Sequence, residues 1–90
     1  MFVITAKRNK PSPFSGSKGN WEYAQPNVYT DGYPTFGTLE DARVFSSPEE
    51  AKSWFEENKK YLKDRLENSF DLKTISVMEI VFLKTDSLHL

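Results

Sequence analysis

The 90-residue sequence contains no cysteine. That absence excludes disulfides, thiolate-ligated zinc and cysteine nucleophiles together, and it fits a reducing compartment. Histidine occurs once, as His89, one residue from the end of the sequence, where nothing is expected to hold it against a serine and an aspartate as hydrolase chemistry requires. Without thiolates or a histidine pair, a metal site would have to be built of carboxylates alone, and no carboxylate cluster has ligand spacing. No cofactor is expected. No apolar run approaches the ~20 residues needed to span a bilayer. In the run Met1-Phe2-Val3-Ile4-Thr5-Ala6-Lys7-Arg8 the charges follow the short apolar stretch, the reverse of a secretory signal. The expectation is a cytoplasmic chain with no membrane partner. A formal net charge of -1 supplies no global field to draw in nucleic acid, so any such interaction must rest on a local patch.

Aromatic residues are plentiful: seven Phe, four Tyr and two Trp. With 38% hydrophobic content they support one modest core, and the expected organisation is a single domain over 1–84 with a tail at 85–90. Phe2 to Lys7 has the length and β-branched content of a strand. Arg8 to Asn20 turns to Lys, Pro, Ser, Gly and Asn, which is loop chemistry. Trp21-Glu22-Tyr23-Ala24 resumes a strand, and Pro26 limits it to an edge or a short segment. Asp31-Gly32, Tyr33-Pro34 and Phe36-Gly37 mark an aromatic loop from Thr30 to Gly37. Ala42 to Phe45 is a short strand candidate.

The strongest local signal is the start of a helix. Ser47 suits the N-cap, Pro48 the first helical position, and Glu50 stands three residues after the serine as in a capping box. Glu49 and Glu50 oppose the positive end of the helix dipole. Ala51, Trp54, Phe55, Leu62 and Leu66 then recur near the 3.6-residue period, with Asn58 filling the gap. These features predict one long amphipathic helix over about 48–68. Across it, Glu56 to Lys60, Lys60 to Asp64 and Lys63 to Glu67 are opposite charges at i,i+4.

Lys73 to Lys84 is the closing strand candidate. Its apolar residues change face partway: Ile75 and Val77 on one side, then Met78 and Ile80 on the other. A central strand covered on both faces, or a β-bulge near Val77-Met78, would account for this, and Glu79 favours the bulge. The expected fold is α+β, a mainly antiparallel sheet of three to four strands packed against one helix, in the order β-β-β-α-β.

Two surfaces carry functional potential. Tyr29, Tyr33 and Phe36, held by Pro34 and glycines, offer rigid rings that could anchor a protein partner, with the acidic helix positions Glu56, Glu57 and Asp64 as a second protein-binding candidate. The other reading of the loop rings is a lid folded on the core. Lys7, Arg8, Lys10 and Lys18 lie near Trp21 in sequence, a mixture of cation and ring that single-stranded nucleic acid can use. The bland alternative is a solvated loop. Ser15-Gly16-Ser17-Lys18-Gly19 lacks the residue order and the following helix of a phosphate-binding loop. An edge strand beside Pro26 leaves a homodimer open.

The pattern Ala42-x-x-Phe45-x-Ser47-x-x-Glu50-Ala51, preceded by the Met-Phe-Val-Ile strand and Trp21, resembles small uncharacterised accessory proteins of phages and prophages of Gram-positive bacteria. The resemblance covers the strand frame and the helix. It implies no catalytic residues. It implies a context of host-interaction and anti-defence proteins, and hence a non-enzymatic protein-binding module that inhibits a host or phage protein by occluding its surface, with a nucleic-acid-binding accessory role as the alternative.

Overall fold

The computed structural model describes residues 1–11, 19–26 and 33–81. Strand β1 (Phe2–Arg8) is the organising element. Its consecutive residues Val3, Ile4, Thr5 and Ala6 are all buried, which a strand achieves only when both of its faces are covered. β2 (Trp21–Ala24) pairs with it antiparallel on one side, and β4 (Phe70–Glu79) pairs antiparallel on the other. β3 (Phe36–Gly37) adds a two-residue edge to β2. The result is a four-stranded antiparallel sheet in the order β3-β2-β1-β4, an α+β fold of the expected type and element order.

The hairpin between β1 and β2 closes on Gly19, whose φ of +89° lies in the left-handed region where a side chain is disfavoured. Gly19 N–H donates to the Arg8 carbonyl at 3.0 Å and Arg8 N–H to the Asn20 carbonyl at 2.8 Å. Inside the sheet, the Thr5 hydroxyl donates to the Glu22 carbonyl at 2.8 Å, so the buried hydroxyl is satisfied.

Helix α1 (Pro48–Tyr61) begins where the capping signal lies. Ser47 Oγ accepts from Glu50 N–H at 3.2 Å. The reciprocal half reaches one residue further back: the Glu50 carboxylate accepts from the Ser46 N–H at 3.1 Å and from the Ser46 hydroxyl. Asn58, the polar residue in the apolar stripe, donates from its amide to the Trp54 carbonyl at 2.8 Å and so stays on the inner side without an unmet donor. The helix continues through Leu66, its last turn widening to π-type geometry at Leu62–Leu66. Its end falls slightly before the expected 68.

One face of the sheet and the helix enclose the core: Ile4, Ala6 and Ala24 from β1 and β2, Phe45 ahead of the helix, and Trp54 and Leu62 within it. Phe45 meets Trp54 edge to face at 6.1 Å between centroids.

Three expectations need correction. The segment Ala42–Phe45 is not a strand; a 3-10 turn at Leu39–Asp41 precedes it, and it meets the sheet through an isolated bridge of Phe45 with Phe2 and a hydrogen bond from the Arg43 N–H to the Ala24 carbonyl. The proposed aromatic loop ends in strand β3 at Phe36–Gly37. The closing strand starts three residues earlier than Lys73, at Phe70, and its irregularity is not at Val77-Met78. Pairing runs from Thr5 with Ser76 to Lys7 with Asp71, so Ala6 alone faces Leu72, Lys73, Thr74 and Ile75. Side chains substitute for the lost ladder there: Lys7 N–H donates to the Thr74 hydroxyl at 2.9 Å, and Lys73 N–H to Asp71 Oδ1 at 3.1 Å. Residues 82–90, which hold the end of the expected strand and the expected tail, lie outside the described residues.

Candidate functional site

Strand alternation sorts the sheet residues onto two faces. Ile4 and Ala6 face the helix, with Val77 paired to Ile4; Val3, Thr5 and Lys7 face away, paired with Met78, Tyr23 and Trp21. Each face carries one candidate surface.

On the helix side, a groove of about 410 Å³ separates the second half of the helix from β4. Its floor is apolar, formed by Phe55, Leu62, Phe70, Leu72 and Ile75. A smaller hollow of about 90 Å³ shares Phe55 and Ile75 with it and extends it toward Lys52 and Val77. The rim is basic. Lys59 and Lys63 from the helix and Lys73 from β4 line the groove, and Lys52 lines its extension. Positions 52, 59 and 63 fall on one helical stripe beside the apolar one, and the Lys59 ammonium lies 5.9 Å from the Phe55 ring centroid, within reach of a cation–π attraction. The opposing carboxylates are Glu67 and Asp71, and one oxygen of Asp71 already caps the Lys73 amide. The π-type turn at Leu62–Leu66 forms part of this wall, and such turns recur at functional sites.

On the far side of the sheet, Lys7 and Trp21 are direct cross-strand partners. Lys7 is exposed and Trp21 is 50% exposed. Trp21, Tyr23, Thr5 and Met78 line a shallow depression of about 340 Å³. A third hollow, of about 700 Å³, lies among Leu39, Val44, Ile80 and Val81, and among the described residues no basic residue lines it.

The protein-binding candidates separate. Tyr33 is 57% exposed and stacks on Tyr61 at 5.1 Å with planes 17° apart. Phe36 is only 9% exposed and packs on Phe70 at 5.0 Å, so it is a core residue and not an anchor; pairing of β3 with β2 turns its ring inward. Glu56, Glu57 and Asp64 are exposed, on helix positions rotated away from the apolar stripe. Tyr29 lies outside the described residues.

The nucleic-acid candidates also divide. Lys7, Lys10 and Trp21 are exposed, but Arg8 is committed inward. Its Nη1 donates to Glu22 Oε2 at 2.8 Å, its Nε donates to the Lys10 carbonyl at 2.9 Å, and its guanidinium stands 4.7 Å from the Phe70 ring centroid. A cation held in this way is not available to a phosphate. Lys18 lies outside the described residues.

The lysine-rimmed groove was missed by sequence reasoning. Its signal was present as the 7 and 4 spacing of Lys52, Lys59 and Lys63, but the strand that forms the other wall is distant in sequence.

No family model matches the chain, and no curated protein or solved structure is significantly similar to it. Among the described residues, no helix is long and apolar enough to cross a membrane, and no three histidine or carboxylate side chains converge as a metal site would need.

Proposed function

We propose that the protein is a non-enzymatic protein-binding module that docks its partner in the groove between the helix and β4. The observation that carries this reading is the open apolar floor of Phe55, Leu72 and Ile75, partly buried residues packed against the buried core and lining one groove. An apolar floor with a polar rim is the usual anatomy of a protein interface. The resemblance to phage accessory proteins supports a specific version, in which a phage-encoded inhibitor occludes a surface of a host protein in the cytoplasm. The groove replaces Phe36 in this reading, while Tyr33 and the acidic positions Glu56, Glu57 and Asp64 remain rival surfaces.

Site-specific photocrosslinking in bacterial cells separates the three. A photoreactive residue placed at position 63 or 73 is expected to trap a discrete adduct, and one placed at 57 or 33 is not. Adducts confined to 57 or 33 would move the interface to the acidic face or the tyrosine stack.

The second reading, a nucleic-acid-binding accessory protein, rests on the cross-strand pair of Lys7 and Trp21 beside Tyr23. Rings exposed beside a lysine can stack with unpaired bases while the lysine meets the backbone. Salt-dependent binding of an oligothymidylate that disappears in Lys7→Ala/Trp21→Ala would support it; an absence of such binding by the unaltered protein removes it.

A further inference from the structure

β4 ends the sheet, and among the described residues no strand pairs with its outer edge. It is also the longest strand, 10 residues. Where β4 is regular, over 76–79, its outer side is an edge of the kind that presents backbone donors and acceptors to an added extended segment. Natural edges are commonly blunted by brevity, by charge or by a bulge; β3, at the opposite edge, has only two residues, and β4 carries a bulge at 72–75 with the exposed Lys73 in it, which leaves 76–79 as its regular stretch.

The groove runs beside this edge. Residues between Phe70 and Val77 line it and its extension; because 72–75 bulge, this stretch pairs across only Arg8 to Ile4, about 13 Å of strand. Its electrostatics select what could lie there. Lys52, Lys59, Lys63 and Lys73 stand against Glu67 and Asp71, a local cationic excess on a chain whose formal net charge is -1.

We propose that the groove takes an extended, acidic segment of a partner protein, which continues past the bulge and adds as a short fifth strand to the outer edge of β4 at 76–79. Alternate side chains of that segment point into the groove, so apolar residues at every second position meet Phe55, Leu72 and Ile75, and carboxylates beside them meet the lysines. This rests on the groove being the docking surface and names the chemistry of its occupant. A second copy of this chain is a poorer occupant, because an added strand would bring the same lysines to face one another across the interface.

A displayed library of random decapeptides, selected on the intact protein, tests the proposal. Enrichment of acidic peptides with alternating apolar residues is expected. Their affinity should fall about tenfold in Lys59→Gln/Lys63→Gln and weaken with added salt. Both lysines are exposed, and a thermal melt verifies that the variant remains folded. Methylating alternate backbone nitrogens on the edge-facing side of an enriched peptide should abolish binding, whereas methylating the solvent-facing set should not. Neutral or basic peptides selected equally by both forms, an absence of enrichment, or binding indifferent to backbone methylation overturns the proposal. If crosslinks at positions 63 and 73 persist beside such a result, the groove still docks a partner and only the acidic added strand is lost. Self-association that competes with the peptides assigns the edge to a second copy and also overturns it.

Discussion

Arg8 and Glu22 form a buried ion pair, Nη1 to Oε2 at 2.8 Å, with side chains only 10% and 7% exposed. The arginine spans the sheet register from β1 to β2 and lays its guanidinium over Phe70 of β4. Glu22 Oε1 is buried without a hydrogen-bond partner among the described residues, so there the pair carries an unmet acceptor as well as its own desolvation. Removing one member should therefore be worse than removing both. Arg8→Ala is expected to destabilise the domain by about 3 kcal/mol by stranding Glu22, a fall of roughly 15 °C in Tm for a domain of this size. Arg8→Met/Glu22→Leu should recover most of the loss. Thermal melts of the two variants decide this, and equal stability of both would show that the stranded charge is not the dominant cost.

Phe36 and Tyr33 are three residues apart, yet the structure gives them opposite prospects. Phe36 packs on Phe70 within the core cluster, whereas Tyr33 is largely exposed while stacked on Tyr61. Phe36→Ala should cost about 3 kcal/mol through the cavity it leaves. Tyr33→Ala should cost less, because most of that side chain is already exposed and its truncation leaves no buried cavity. Chemical denaturation with a common m-value would measure both. The same contrast makes a combined Tyr33/Phe36 variant unsuitable as a binding control, since lost binding could follow from lost folding.

Local chemistry was legible in the sequence where it is local in the structure. Ser47, Pro48 and Glu50 act within one turn of the helix, and their cap is where the residue types placed it. The apolar stripe through Trp54 and Leu62 reports burial directly, because helical periodicity turns spacing into a face. The bulge opposite Ala6 was not legible, since it depends on Thr74 reaching Lys7 in a strand far away along the chain. Arg8 read as part of a basic loop patch for the same reason: nothing near it in sequence announces that it meets Glu22. The basic groove needs both Lys59 and Lys73, which only the packing of the helix along β4 brings together.

Gly19 tests the hairpin that sets the β1–β2 register. Among the described residues, a Cβ added there would meet only Lys7 Cε, at 3.8 Å, an ordinary van der Waals contact, so space against them is not the obstacle. The backbone is, because φ is +89°. Gly19→Ala should destabilise by about 1 kcal/mol from the left-handed conformation. A D-alanine introduced at the same position by chemical synthesis should restore or exceed the original stability, because positive φ is favourable for that enantiomer. If the D-residue were as damaging as the L-residue, steric crowding and not backbone conformation would be responsible.

The helix start supplies a pH dependence whose sign can be worked out. The Glu50 carboxyl is held below its ordinary value, first by the hydrogen bond from the Ser46 hydroxyl, then by that from the Ser46 backbone N–H, with a smaller contribution from Arg43; desolvation opposes them weakly. A carboxyl with a lower pKa folded than unfolded binds fewer protons in the native state. Its stabilising contribution is therefore fully present above the unfolded value and is lost as pH falls through the folded value. Glu50→Gln and Ser46→Ala should both be less stable than the unaltered protein at neutral pH, and the gap between each and the unaltered protein should narrow on acidification through the carboxylate range. Ser47→Ala, which removes a cap that does not titrate, should cost about 1 kcal/mol, with a gap that stays constant over the same pH interval. Urea titrations of the three variants across that interval distinguish the two behaviours. A pH-independent deficit in Ser46→Ala would show that the Ser46 hydroxyl acts on the chain turn and not on the Glu50 charge.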